Sequence, residues 1–106
     1  MEFEERKLEG ALVVVVRGRL DSYWADHLGV RLGDVIRRGN HHLQLNLSEI
    51  SYLSSAGIGI VMQYFKQLRD IDGSLSVVEP SEQVRRILAL SGLTELLAIP
   101  SDANAR

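Results

Sequence analysis

The chain has 106 residues, 45% hydrophobic and 25% charged, with 12 basic and 14 acidic residues and a formal charge of -2. That length suits one ordinary domain with a buried core, and the charge balance lacks the clustered basic excess of a nucleic-acid binder. Cysteine is absent, which excludes disulfides, thiolate metal sites and cysteine nucleophiles and points to a reducing compartment.

Residues 2–9 are mostly charged and predict a short edge strand, because charged edges resist unwanted pairing. The acidic opening Met1-Glu2-Phe3-Glu4-Glu5 has no apolar signal core, so a cytoplasmic domain is expected. Gly10 breaks the run. Ala11 to Val16 is the longest apolar stretch, too short to cross a bilayer, so no membrane insertion is expected. Its β-branched run predicts a strand buried on both faces, ended by Gly18.

Asp21 or Ser22 can cap a helix running to about Arg38, with Trp24, Leu28, Leu32, Val35 and Ile36 at helical spacing. Gly29 and Gly33 weaken it by roughly 1 kcal/mol each relative to alanine. Gly39-Asn40 is a stop signal. The segment "HLQLNL" alternates, with Leu43, Leu45 and Leu47 on one face, and predicts a strand. A helix over 56–71 follows, with Ile58, Val61, Phe65 and Leu68 as its core stripe. Asp72-Gly73 is a turn and "SLSVV" a strand. Pro80-Ser81 opens a third helix with Val84, Ile87 and Leu88 inward. Ser91-Gly92 breaks it, "LTELL" makes a helical turn, "LLAIP" ends in a short strand, and the tail from Ser101 frays. The order β-β-α-β-α-β-α implies an α/β fold. Its sheet should be mostly parallel, with the first two strands antiparallel and the helices chiefly on one face.

The joint "LSSAGIG" concentrates two hydroxyls and little bulk where a strand hands over to a helix. The first helical amides lack intrahelical partners and the dipole is positive there. Ser54 or Ser55 can cap those amides, and Gly57 and Gly59 allow close backbone approach. The joint is suited to an anion near a serine hydroxyl, although on the local pattern alone a plain serine cap, with small residues for packing, is the favoured reading.

Three segments, in order, resemble the STAS domain family, and most closely the bacterial anti-sigma factor antagonists. They are "VRGRLD", "LQLNLSEISYLSSAGIGIV" and "SLSVVEPSEQVRRILALSGLTELL", within a resemblance spanning about Gly10 to Ile99. The resemblance implies one STAS domain over residues 1–106, with its core at about 10–99 and a four- to five-stranded mixed sheet. It implies a binding protein, not an enzyme, that sequesters an anti-sigma factor which is also a serine/threonine kinase. That kinase phosphorylates a signature serine, which dissolves the complex, and a serine phosphatase restores binding. By position the signature serine is Ser55. An aspartate often precedes it and a serine often follows; Ser54 and Ala56 stand there instead, which leaves Ser54 as the alternative site. The resemblance further implies a partner face of Asp21, Ser54, Ser55, Ala56, Gly57 and Ile60. It also matches Asn46 to a polar residue of the third strand; facing inward, that side chain would need a hydrogen-bond partner. Other STAS domains serve as structural subunits of transport or signalling assemblies, which is the alternative reading.

Other chemistry fits poorly. His41 and His42 are adjacent in an extended run and point to opposite faces, and His27 lies on the first helix, so no metal is expected. A nucleophile elbow wants glycine two residues to each side of the serine; Gly57 fits but Leu53 does not. Gly57 and Gly59 lack the rest of a dinucleotide fingerprint, so no cofactor is expected. Ile60, Tyr64 and Ile71 form a second apolar line beside the core stripe, for a neighbouring helix or for a partner near Ser55. Arg85 and Arg86 read as a solvated pair.

Overall fold

The computed structural model describes residues 1–95 and residue 97. Their elements follow the expected order: β1 (Glu2–Leu8), β2 (Ala11–Leu20), α1 (Ser22–Arg37), β3 (His42–Leu53), α2 (Ser55–Asp70), β4 (Ser74–Val78) and α3 (Glu82–Leu90). The strands form one sheet in the order β1-β2-β3-β4. β1 pairs antiparallel with β2, from Glu2 opposite Arg17 to Leu8 opposite Ala11. β2 pairs parallel with β3, and β3 parallel with β4. Each parallel step needs a crossover, and α1 and α2 supply them.

Register decides which face is buried. Leu12 lies beside Leu43 and Val14 beside Leu45, while Leu43 and Leu45 adjoin Leu75 and Val77. This apolar face packs against Leu28, Leu32, Val35 and Ile36 of α1, Val61 and Leu68 of α2, and Val84 and Leu88 of α3 in one cluster. The helices therefore cover one face of the sheet. Val13 and Val15 point the other way and are also buried. Arg6 and Glu4 of β1 stand opposite them, and Gln44 and Asn46 of β3 lie on their other side. The expectation that this strand is buried on both faces holds.

Two strands run longer than the residue pattern indicates. Gly18 does not end β2: it adopts φ +119, accommodates a register irregularity and lets the strand reach Leu20. A left-handed φ of this kind is open to glycine. β3 continues past Leu47 to Leu53 because β2 stays beside it to Leu20. β4 ends opposite Asn46, at Val78. Above that point α3 takes its place: the Ser81 amide donates to the Leu47 carbonyl and its hydroxyl to the Ile50 carbonyl.

Asn46 does not face the core. It sits on the side opposite Leu45 and Leu47, half-buried, and its Oδ1 accepts from the Ser48 amide at 3.0 Å. Strand alternation requires that placement. Trp24 is half-buried and meets the Tyr23 ring edge-on at 5.0 Å. Gly29 and Gly33 form the surface on which α2 rests. A Cβ at Gly29 would lie 3.3 Å from Ile60, and one at Gly33 would lie 3.2 Å from the Tyr64 hydroxyl. Ile60 and Tyr64 thus serve the helix–helix seam, while Ile71 is exposed. Arg86 is exposed beside Glu82, and Arg85 is half-buried.

The helical turn in "LTELL" is present as a hydrogen bond from the Leu97 amide to the Leu93 carbonyl, and Leu97 is buried. The expected last strand in "LLAIP" and the frayed tail from Ser101 lie outside the described residues.

β1 is held by its backbone ladder to β2, and its side chains add ion pairs on both faces. Glu5 faces α1, where Arg31 and Arg38 donate to it at 3.2 and 2.9 Å. On the opposite face Glu4 accepts from Arg6 at 2.8 Å and from Arg17 at 2.9 Å, and Arg17 also reaches Glu49. The hydrogen bonds from Arg6 and Arg17 hold the Glu4 carboxyl at about 2, below its ordinary 4.5. Glu5 is lowered in the same direction, first by Arg38. A carboxylate with a depressed folded-state pKa stabilises the fold above its unfolded value and loses that contribution as pH falls through the folded one. The urea midpoint is therefore expected to fall between roughly pH 4.5 and pH 2, and Glu4→Gln should flatten part of that slope.

Backbone space gives a second test. A Cβ at Gly73 would run into the His41 carbonyl oxygen, whereas one at Gly59 meets nothing within 4 Å. In urea melts, Gly73→Ala should cost about 1–3 kcal/mol by overpacking. Gly59→Ala, inside α2, should add up to about 1 kcal/mol. Equal effects at the two positions would contradict this packing.

Candidate functional site

The site forms where β2 and β3 end side by side. Open parallel sheets place ligand and partner sites beyond the carboxyl ends of their strands, because the crossover loops and helix N-termini gather there. Leu20 and Leu53 are register partners and both are buried. Asp21 follows the first and Ser54 the second, so the two loops are neighbours.

Each loop begins a helix with its own cap. Asp21 is the N-cap of α1, and its Oδ1 accepts from the Trp24 amide at 3.0 Å. Ser54 is the N-cap of α2, and its Oγ accepts from the Gly57 amide at 3.1 Å. The same hydroxyl donates to the Leu20 carbonyl at 2.8 Å. That carbonyl also accepts from the Ser54 amide at 3.0 Å. Ser54 is 9% exposed, and its hydroxyl is occupied both as donor and as acceptor.

Ser55 differs in every respect. It is the first residue of α2, is exposed, and its hydroxyl bonds to none of the described residues. The amides of Ser55 and Ala56 have no intrahelical acceptor, so the helix presents free donors and a partial positive charge there. Ala56 is exposed. Gly57 is buried because α2 rests on the strand ends: a Cβ there would lie 3.0 Å from both Leu20 and Leu53.

Of the six residues expected at a partner face, Asp21, Ser54, Ser55, Ala56 and Gly57 come together at this end. Ile60 lies further along the α1–α2 seam, half-buried over Gly29. Two aromatic groups flank the cluster and were not singled out from the residue pattern. Tyr23, 63% exposed, stands in the first turn of α1 with its ring 4.7 Å from His27. Tyr52, 40% exposed, lies three residues before Ser55 with the Arg19 guanidinium 4.5 Å over its ring. A shallow cavity of about 180 Å³ adjoins it, lined by Ser51, Tyr52, Gln83, Arg86 and Ile87. Strand alternation carried the signal for Tyr52, since Leu53 is inward and its neighbour must face out.

Among the described residues no group of three or more histidine, aspartate or glutamate side chains is placed to hold a metal ion. No described helix is long and apolar enough to cross a membrane.

Known proteins resemble this chain in sequence and in fold. An anti-sigma-B factor antagonist of Staphylococcus epidermidis is 31% identical over 86 residues, covering 81% of this chain and 80% of its own length. An anti-sigma F factor antagonist of Paenibacillus polymyxa is 27% identical, covering 93% of this chain and 86% of its own. Among solved structures, the anti-sigma factor antagonist SpoIIAA in its unphosphorylated form superposes with a TM-score of 0.79 at 22% identity, over 98% of this chain and 92% of its own. The phosphorylated form of SpoIIAA from Bacillus gives 0.72 at 21% identity, over 98% and 96%. The family model for the STAS domain matches residues 2–104, and this chain belongs to that family.

Proposed function

We propose that this chain is an anti-sigma factor antagonist of a partner-switching pathway, a cytoplasmic binding protein whose partner affinity is set by phosphorylation of Ser55. The partner is an anti-sigma factor that is also a serine/threonine kinase, and a serine phosphatase reverses the modification. The relatives named as antagonists support the binding role. A phosphorylated form of SpoIIAA supports a phosphate switch on this fold. The observation that carries the residue assignment is the contrast between the two serines: the Ser55 hydroxyl is exposed and uncommitted, and that of Ser54 is buried and doubly bonded.

The helix N-terminus decides what a phosphate does there. It brings about -1.5 to -2 charges at neutral pH. Free amides and the dipole favour an anion at this point, so the fold tolerates it. In a docked complex the same group loses water. Without a matching cation on the partner, an interfacial charge costs several kcal/mol.

Ser55→Asp should bind the anti-sigma factor at least about a hundredfold more weakly, at 1.4 kcal/mol per tenfold, with thermal stability close to wild type. Ser55→Ala should bind and resist the kinase. Ser54→Ala should still be modified. Calorimetry gives the affinities, thermal melts the stability, and mass spectrometry of the kinase-treated protein maps the phosphate. Phosphate on Ser54 would overturn the residue assignment. If neither serine is modified and Ser55→Asp binds normally, a role as a structural subunit of a larger assembly replaces this one.

A further inference from the structure

Ser54 does more than cap a helix. Capping α2 needs only an acceptor for the Gly57 amide, and an aspartate would serve. The second bond of the same hydroxyl runs to the Leu20 carbonyl at 2.8 Å, and this one needs a donor. Leu20 is the residue before Asp21, the cap of α1. One buried hydroxyl therefore touches both turns: it accepts from the first turn of α2 and donates to the last carbonyl of β2. The adjacent backbone bond, from the Ser54 amide to the same carbonyl, fixes the spacing at which the hydroxyl acts.

We propose that Ser54 is a positioning residue that locks the Asp21 turn to the Ser55 turn, so that the two loops form one rigid partner face. The proposal rests on the reading of this end as the partner face. It also explains the departure at this position from the aspartate to be expected there. A carboxylate has no proton to give the Leu20 carbonyl, and the two oxygens would repel. A serine in this place forgoes the carboxylate's charge and gains a stitch between the crossovers. Because Asp21 then holds the Trp24 amide, a change at Ser54 is transmitted across the loop pair to the first turn of α1.

Amide hydrogen exchange on the full chain, followed by NMR, separates cap from stitch. Ser54→Asp keeps the acceptor and removes the donor. The Gly57 and Ile58 amides should then exchange at near wild-type rates, while Trp24 and Ala25 exchange faster, by several-fold up to about tenfold for the loss of one hydrogen bond. Ser54→Ala should speed exchange in both turns. Ser54→Thr, which keeps donor and acceptor, should restore wild-type rates in both. Wild-type exchange at Trp24 and Ala25 in Ser54→Asp would overturn the coupling. So would an effect of Ser54→Ala confined to α2, or a threonine variant that behaves as alanine. Exchange is read without partner or kinase, so failure of Ser55 to be modified strikes the functional reading and leaves the coupling standing. Unchanged exchange in Ser54→Asp does the reverse.

Discussion

The parallel pairing of β2 with β3 is the constraint on which everything else depends. Val14 and Val16 of β2 and Leu45 and Leu47 of β3 are almost wholly buried. Each fully buried aliphatic side chain contributes roughly 1.5–3 kcal/mol, and this seam is the centre on which the rest of the core packs. Parallel neighbours cannot be joined by a tight turn, so α1 and α2 must cross the same face of the sheet. That requirement brings two helix N-termini to one end of the molecule, and the candidate site is a consequence of it. A one-residue slip of β3 would turn Leu43, Leu45 and Leu47 out of the core and separate Leu20 from Ser54.

The edge is managed by different physics. β1 carries one well-placed apolar side chain, Phe3, beneath the Arg31 guanidinium. Beyond the antiparallel ladder to β2, its other side-chain anchors are ion pairs that are at least partly exposed, each worth about 0–1 kcal/mol. Such pairs contribute little to net stability but discriminate register, since a shift would set Glu5 away from both of its arginines. Alternating charges on this strand also discourage pairing with a second molecule.

At the site, neighbouring serines carry opposite burdens. Buried polar groups must be satisfied, and Ser54 is, in both directions. Its neighbour is free because the first residue of a helix points into solvent. An exposed hydroxyl is thus presented on a mount that does not depend on it. The first turn of α2 suits an anion, so the fold can carry one at this point.

Much of this could be read from the residues themselves. Alternation and helical spacing set the number, type and order of the elements, because local periodicity reflects which face is buried. The serine–glycine joint stood out for the same local reason. Tertiary contact decided the rest. β2 passes Gly18 and β3 passes Leu47 because each has the other beside it, which no window of one strand contains. Asn46 faces away from the core because its leucine neighbours occupy it. Gly29 and Gly33, costly to an isolated helix, are required where Ile60 and Tyr64 lie against them. The residue pattern leaves Ser54 and Ser55 interchangeable as caps; burial and the bond to the Leu20 carbonyl, 34 residues away in the chain, set Ser54 apart. Hydrogen bonds of that span are properties of the assembled sheet, since they exist only once β2 and β3 have paired.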